Sequence, residues 1–199
     1  MMKKSLLFLL IAILFNNSYT NGTELQNSNL QITFGLLEKL IKVEKSELLI
    51  LNAKYFTNSL AGEYSIFANF VSAKFDELGL KRQRQITETP NVNFNINRIT
   101  VSYSSPEKRG FFGDYFIERT VLVEGSFLFD SDKIKNENFS VSKTDTISYG
   151  TIASIEENSL PFTKGNVPEP PQFSSLIEPI IVLTSAAAIV YLFFSVRSK

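Results

Sequence analysis

Hydrophobic positions in the first third of the chain recur with a helical period. Leu36, Leu37, Leu40 and Ile41 share one helical face, which predicts a helix over residues 30–43 with Asn29 as its N-cap. The compact apolar run over 48–56 predicts a mostly buried strand. A second helix is predicted over 63–78, before a stop at Gly79, from one broad apolar face: Ile66, Phe67, Phe70, Val71, Phe75 and Leu78.

The period then changes to the alternation of β-strands. Two alternating runs, 94–96 and 99–103, are out of phase, which predicts a β-bulge near Asn97 and Arg98. Residues 115–129 predict one long strand, in which Gly125 permits a bend. A turn at 130–132 leads to one or two further strands. The pattern predicts one α+β domain over 29–155, with two helices on a four- to five-stranded, mainly antiparallel sheet.

An apolar stretch precedes this domain. Residues 6–15 are apolar and follow Lys3 and Lys4, as in a secretory signal, so residues 1–20 are expected to be a signal peptide. The signal is either cleaved before Asn21 or retained as an anchor. Residues 21–28 are polar and are expected to be loose. Either version exports the domain.

A second apolar stretch follows the domain. Residues 180–196 form an uncharged run of about 17 residues, near the short end of what spans a bilayer. We expect a transmembrane helix over 176–196, the alternative being a buried core helix, and a cytoplasmic tail over 197–199 with Arg197 and Lys199. The proline-rich segment 156–175 is predicted to be a tether. The expected location is the bacterial cytoplasmic membrane, single-pass, with the N-terminal domain outside the cytoplasm.

The amino-acid composition excludes several kinds of catalytic and metal site. The chain has 20 basic and 20 acidic residues, no His and no Cys. Disulfides, zinc sites built from His and Cys, and Ser-His-Asp or Cys-His catalysis are therefore excluded. No basic stripe favours nucleic acid. Asp130 and Asp132 have the spacing that begins a calcium loop, but the Gly and closing Glu are misplaced. We expect no cofactor, no metal and no catalytic residue, although catalysis by carboxylates, Lys or Tyr stays open.

Two groups of residues are candidates for contact with partners. Phe111 and Phe112 lie between two glycines in the loop 104–114, either exposed as a partner or membrane contact or tucked under the domain. In the second apolar stretch, Thr184, Ser185 and Ala188 place small side chains on successive helical turns. Such a pattern lets a second transmembrane helix approach closely. The alternative is a lone anchor.

The charged pair Glu118 and Arg119 stands near the start of the long strand. A solvated face is expected for this pair, with a buried ion pair as the alternative. The basic cluster of Lys81, Arg82 and Arg84 is expected on the outer face of a strand.

Residues 48–85 follow the order strand, polar loop, amphipathic helix, Gly-Leu and polar strand: LLILNAKYFTNS, EYSIFANFVSAKFDELGL and KRQRQ. This order resembles bacterial envelope lipoprotein families related to the curli-secretion protein CsgG and the flagellar protein FlgO. Those families carry a lipidated Cys after the signal, and this chain has none. The resemblance implies an assembly or accessory role in the envelope, with no catalytic residue to carry over.

The predicted function is that of a non-enzymatic accessory or scaffold protein of a bacterial envelope complex. Its expected partners are the lipid bilayer and membrane or envelope proteins. Two other classes stay open, a membrane-tethered extracytoplasmic enzyme and a ligand-sensing domain. A cleft with two close, strongly shifted carboxyl groups would favour the enzyme, and exposed aromatic side chains would favour the scaffold.

Overall fold

A computed structural model describes residues 26–50, 52–110, 113–170 and 174–197, with side chains over 26–42, 52–110, 113–170 and 179–195. The predicted signal peptide and residues 21–25, 198 and 199 lie outside the described residues. The helices are α1 (Asn29–Ile50), α2 (Ala68–Glu77), α3 (Ile152–Ile155) and α4 (Ser174–Arg197). The strands are β1 (Tyr55–Asn58), β2 (Lys81–Arg82), β3 (Asn91–Tyr103), β4 (Glu107–Lys108), β5 (Tyr115–Asp130) and β6 (Ile134–Ser148).

The strands form one mixed six-stranded sheet. Its order is β2-β1-β3-β5, and β4 and β6 both pair with β5. β1 runs parallel to β2 and β3, while β5 is antiparallel to β3, β4 and β6. The predicted α+β class is confirmed. The sheet has more strands than predicted, and its parallel part follows from the helical connection through α2, since parallel neighbours require a crossover.

The long antiparallel strands agree well with the alternation in the sequence. The register of β3 against β5 shifts between Ile96 and Arg98, so the predicted bulge is confirmed. The predicted turn after Asp130 joins β5 to β6, and the two strands pair without interruption from Asp130 opposite Ile134 to Phe116 opposite Ser148. The residues after the turn therefore form one strand.

The first helix differs from its predicted bounds. It continues to Ile50, so the first three residues of the predicted strand over 48–56 are helical. Its start is capped by Ser28, whose Oγ accepts from the backbone N–H of Gln31 (3.1 Å) while Gln31 Oε1 accepts from the N–H of Ser28 (2.9 Å). Ser28, and not Asn29 as predicted, therefore caps the helix through a reciprocal capping box. The side chain of Asn29 is fully buried in the domain.

The second predicted helix divides into a 3₁₀ turn, Gly62–Phe67, and α2. The helix stop at Gly79 is confirmed, because this residue has a φ of +86°. Ile66 was predicted to face the core, but it is 43% exposed, because the tighter 3₁₀ turn rotates it away. Phe67, Val71 and Phe75 are fully buried as predicted.

Both early helices cover one face of the sheet. α1 packs on α2, β5 and β6, and α2 packs on β1 and β2. At the centre, the ring of Phe94 lies 5.2 Å from that of Phe127 and 5.6 Å from that of Phe139. A Cβ at Gly125 would collide with the ring of Phe139, so this glycine makes room for the ring. The inward side chains of β3 and β5 are Val92, Phe94, Ile96, Ile99, Val101, Tyr103, Ile117, Val121, Val123, Phe127 and Phe129.

The domain extends past both of its predicted limits. Residues 26–28 were expected to be loose, but Gln26 Oε1 accepts from Thr151 (2.8 Å) and the carbonyl of Asn27 accepts from Arg119 (2.8 Å). The tether was expected from 156, yet Phe162 is buried against Phe67. The polar composition of the first segment and the prolines of the second led to the prediction of loose chain in both.

The C-terminal helix α4 contains the predicted transmembrane segment. A membrane-spanning helix requires about 20 consecutive apolar residues. In the part of the chain that the structure describes, no helix is both long enough and apolar enough to cross a membrane. The predicted span over 176–196 is therefore unsupported.

Replacing Phe94 with Ala should lower the free energy of unfolding by about 3–5 kcal/mol, because a large cavity would open among the rings of Phe75, Phe127 and Phe139. Phe70→Ala should cost less, since Phe70 is only partly buried. Urea unfolding followed by far-ultraviolet circular dichroism would measure both. Equal losses would contradict the position of the core.

Candidate functional site

The most distinctive surface of the described chain is α4. Every described side chain from Pro179 to Ser195 is exposed to solvent. Burial of each large apolar side chain is worth about 1.5–3 kcal/mol, so leaving a whole helix of them in water is strongly unfavourable. We call these residues the apolar helix surface: Ile180, Ile181, Val182, Leu183, Ile189, Val190, Tyr191, Leu192, Phe193 and Phe194.

The small residues predicted to mediate helix packing lie within this surface. Thr184, Ser185 and Ala188 are all exposed. The hydroxyl of Thr184 donates to the carbonyl of Ile180 in the preceding turn (2.6 Å), which satisfies it within its own helix. These positions are therefore accessible to a second helix, and their role in packing stays a prediction.

The predicted aromatic contact, Phe111 and Phe112, lies outside the described residues. The strand ends on either side of it are described. Arg109 places its guanidinium 4.4 Å from the ring centroid of Phe116, and Lys108 places its ammonium 5.8 Å from that of Tyr115. These cation–π contacts hold the base of the hairpin together.

A buried polar network connects the beginning and the end of the domain. At its centre, Arg119 is 0% exposed and binds Asp145 with two parallel hydrogen bonds, Nε to Oδ1 (2.8 Å) and Nη2 to Oδ2 (2.6 Å). Its remaining nitrogen, Nη1, donates to the carbonyl of Asn27 (2.8 Å) and to Oδ1 of Asn29 (2.9 Å). The fork of Arg suits such multiple bonding.

The network continues on the other side of Asn29. The amide Nδ2 of Asn29 donates to the hydroxyl of Tyr103 (3.0 Å) and to the carbonyl of Thr163 (2.7 Å). That hydroxyl donates to Oε1 of Glu156 (3.0 Å), which also accepts from the backbone N–H of Gly165 (2.9 Å). Desolvation, with a further contribution from Glu156, raises the pKa of Tyr103 to about 12. We call this set of residues the Arg119 network.

The sequence prediction of a solvated Arg119 is therefore wrong, although its neighbour Glu118 is exposed. A signal was present in the sequence. Arg119 lies in phase with Ile117 and Val121, which point into the core. Its partner Asp145 stands directly opposite on β6, at a position that sequence spacing alone does not specify.

Two of the open cavities between described residues lie on the sheet. The larger, about 410 Å³, adjoins the bulge and is lined by Asn97, Arg98, Glu124 and part of β6. The smaller, about 110 Å³, lies beside β4 and includes Glu107, Arg109 and Glu118. In the described part of the chain, no three Asp or Glu residues are grouped to hold a metal ion.

Comparison with known proteins adds no family to this description. No protein-family model matches the chain, and no curated protein matches it. The segment that resembles the CsgG and FlgO families does form β1, α2 and β2, with β1 parallel to β2. This order is common to many α+β domains, so the resemblance stays a prediction.

Two ion pairs of the sheet, one with a buried arginine and one with an exposed arginine, allow a matched test of the Arg119 network. Asp145→Asn removes the counter-charge of the fully buried Arg119 guanidinium and should lower the free energy of unfolding by about 3 kcal/mol, the low end for a buried pair, because the side chain of Asp145 is itself 31% exposed. Glu124→Gln, which breaks the Arg98–Glu124 pair (2.7 Å) between β3 and β5, should cost less than about 1 kcal/mol, because the side chain of Arg98 is 65% exposed. Urea unfolding compares the two. Similar losses would contradict the role of the network.

The raised pKa of Tyr103 predicts a loss of stability in base. The folded protein holds this proton more tightly than the unfolded chain does. The stability that the protonated hydroxyl contributes is therefore complete below pH 10 and is lost as the pH rises from 10 to 12. By pH 12 the loss should reach about 2 kcal/mol. Tyr103→Phe should remove this part of the decline. Superimposable stability–pH curves for both proteins would refute the assignment.

Proposed function

We propose that the protein is a non-enzymatic, membrane-attached scaffold or accessory subunit of a bacterial cell-envelope complex. The helix α4 attaches it to the cytoplasmic membrane, and the α+β domain faces partners outside the cytoplasm. The observation that carries the proposal is the apolar helix surface, in which exposed apolar side chains follow one another over successive turns. Lipid or an apolar partner helix removes this surface from water.

The segment before α4 supports a role in display. Residues 168–170 adopt no regular structure and include Pro168 and Pro170. Proline restricts the chain to extended conformations, so this short segment acts as a spacer. The Arg119 network holds the preceding residues, through Thr163 and Gly165, against the domain. The domain is thereby presented at the end of a defined spacer.

Two features of the sequence support the proposed location in the envelope. The apolar stretch after Lys3 and Lys4 favours export, and Arg197 and Lys199 favour a cytoplasmic C-terminus. The resemblance of residues 48–85 to envelope assembly families adds the suggestion of an assembly role. In this arrangement Thr184, Ser185 and Ala188 are available to a partner helix in the bilayer.

Membrane attachment can be tested with charges in α4. Leu183→Lys combined with Ile189→Lys should move the protein from the membrane fraction to the soluble fraction, because each Lys costs about 2.5–3.5 kcal/mol at the centre of a membrane helix. The matched control is Ile66→Lys with Ile86→Lys, two exposed positions on the domain. Flotation of the full chain with lipid measures the result. Wild-type protein that fails to float would refute attachment.

Orientation requires a separate measurement. Alkaline phosphatase fused after Ser175 should be active, because the enzyme matures only outside the cytoplasm. A cytoplasmic reporter fused after Lys199 should also be active. An inactive phosphatase combined with normal flotation would keep the membrane attachment but reject the exported domain.

A further inference from the structure

The strand β6 forms a long open edge of the sheet. It has 15 residues and, among the described strands, pairs only with β5. Its pairing with β5 has no bulge, and residues 134–148 contain no proline. Its outer row of backbone N–H and C=O groups is therefore a template for another strand.

The charges along this edge follow a symmetric order. On the face that also carries Phe139 and Val141, residues 135, 137, 143 and 145 are Lys, Glu, Lys and Asp. The midpoint of the series is Ser140. Reversing the strand about Ser140 therefore places every basic residue opposite an acidic one.

We propose that β6 pairs antiparallel with β6 of a second copy of this chain, about a twofold axis at Ser140. In this register Glu137 faces Lys143 of the other copy, Phe139 faces Val141, and Lys135 faces Asp145. On the opposite face Asn136 meets Thr144 and Asn138 meets Ser142, pairs that can form hydrogen bonds across strands. The two sheets join into one.

Neighbouring registers lack this complementarity. A twofold axis must lie on a residue, because directly opposite side chains share one face of a sheet. An axis at Phe139 places Lys135 opposite Lys143, and an axis at Val141 places Glu137 opposite Asp145. Like charges at directly opposite positions destabilise a sheet. Axes at Asn138 or Ser142 place charged side chains against Phe139 and Val141.

Existing contacts decide which charged pair matters most. Both oxygens of Asp145 accept hydrogen bonds from the buried Arg119, whereas Glu137 has an ion pair at one oxygen, from Oε1 to Nζ of the 45%-exposed Lys135 (2.5 Å). Lys143 is exposed and forms no ion pair with the described residues. The pair between Glu137 and Lys143, which occurs twice by symmetry, is therefore the main electrostatic contact. Edge lysines usually discourage strand pairing, but here Lys143 would face a carboxylate.

Single-cysteine variants of the full chain test the register, since the natural sequence has no Cys. Ser140→Cys should form a disulfide-linked dimer under mild oxidation, because two copies of residue 140 meet at the axis. Ser142→Cys is the matched control. Its two copies would be offset by four residues, about 13 Å, so it should stay unlinked. Linking at 142 and not at 140, or at neither position, would overturn the proposal.

A charge reversal tests the recognition itself. Lys143→Glu in the Ser140→Cys chain should weaken dimerisation about tenfold, because both copies then oppose Glu137 with a like charge. Adding Glu137→Lys should restore it. Lys164→Glu, an exposed position outside β6, should have no effect. Unchanged cross-linking in Lys143→Glu would overturn the proposal. This outcome is independent of flotation, so failure of membrane attachment is recognised separately.

Discussion

The bidentate contact between Arg119 and Asp145 determines how the separate parts of the domain fit together. A guanidinium removed from water is costly unless its charge is balanced and its donors are satisfied. Here Asp145 supplies the charge, and Asn27 and Asn29 supply the remaining acceptors. The position of Arg119 in β5 therefore constrains both the register of β6 and the path of the chain into α1.

The same network extends this constraint to the other end of the domain. Asn29 and Tyr103 bring in Thr163 and Glu156, whose carboxylate also binds the backbone of Gly165. Segments that are far apart in sequence thus share one set of buried polar contacts. Because an unpaired buried polar group is expensive, displacement of one segment would destabilise the others. The chain is held against the domain in this way as far as Gly165.

The covered face of the sheet differs physically from the β6 edge and from the surface of α4. Helices cover the apolar face of the sheet, and the aromatic cluster around Phe94 fills the space between them. Among the described residues, β6 pairs with no strand on its outer edge, and the side chains of α4 from 179 to 195 are exposed. The edge offers backbone hydrogen bonds and charge, whereas α4 offers apolar area. Two such surfaces in one chain suit a protein that associates with copies of itself and with a second environment.

Local pattern in the sequence determined the long strands, the bulge after Ile96 and the helix stop at Gly79. Each depends on alternation or on the backbone freedom of one residue. Tertiary structure alone decided that Asn29 is buried instead of capping α1, that Arg119 pairs with Asp145, and that residues 156–165 belong to the domain. Phe111 and Phe112 lie outside the described residues, so their contact stays a prediction. Long-range polar contacts have no periodic signature, because their partners are set by strand register and chain path.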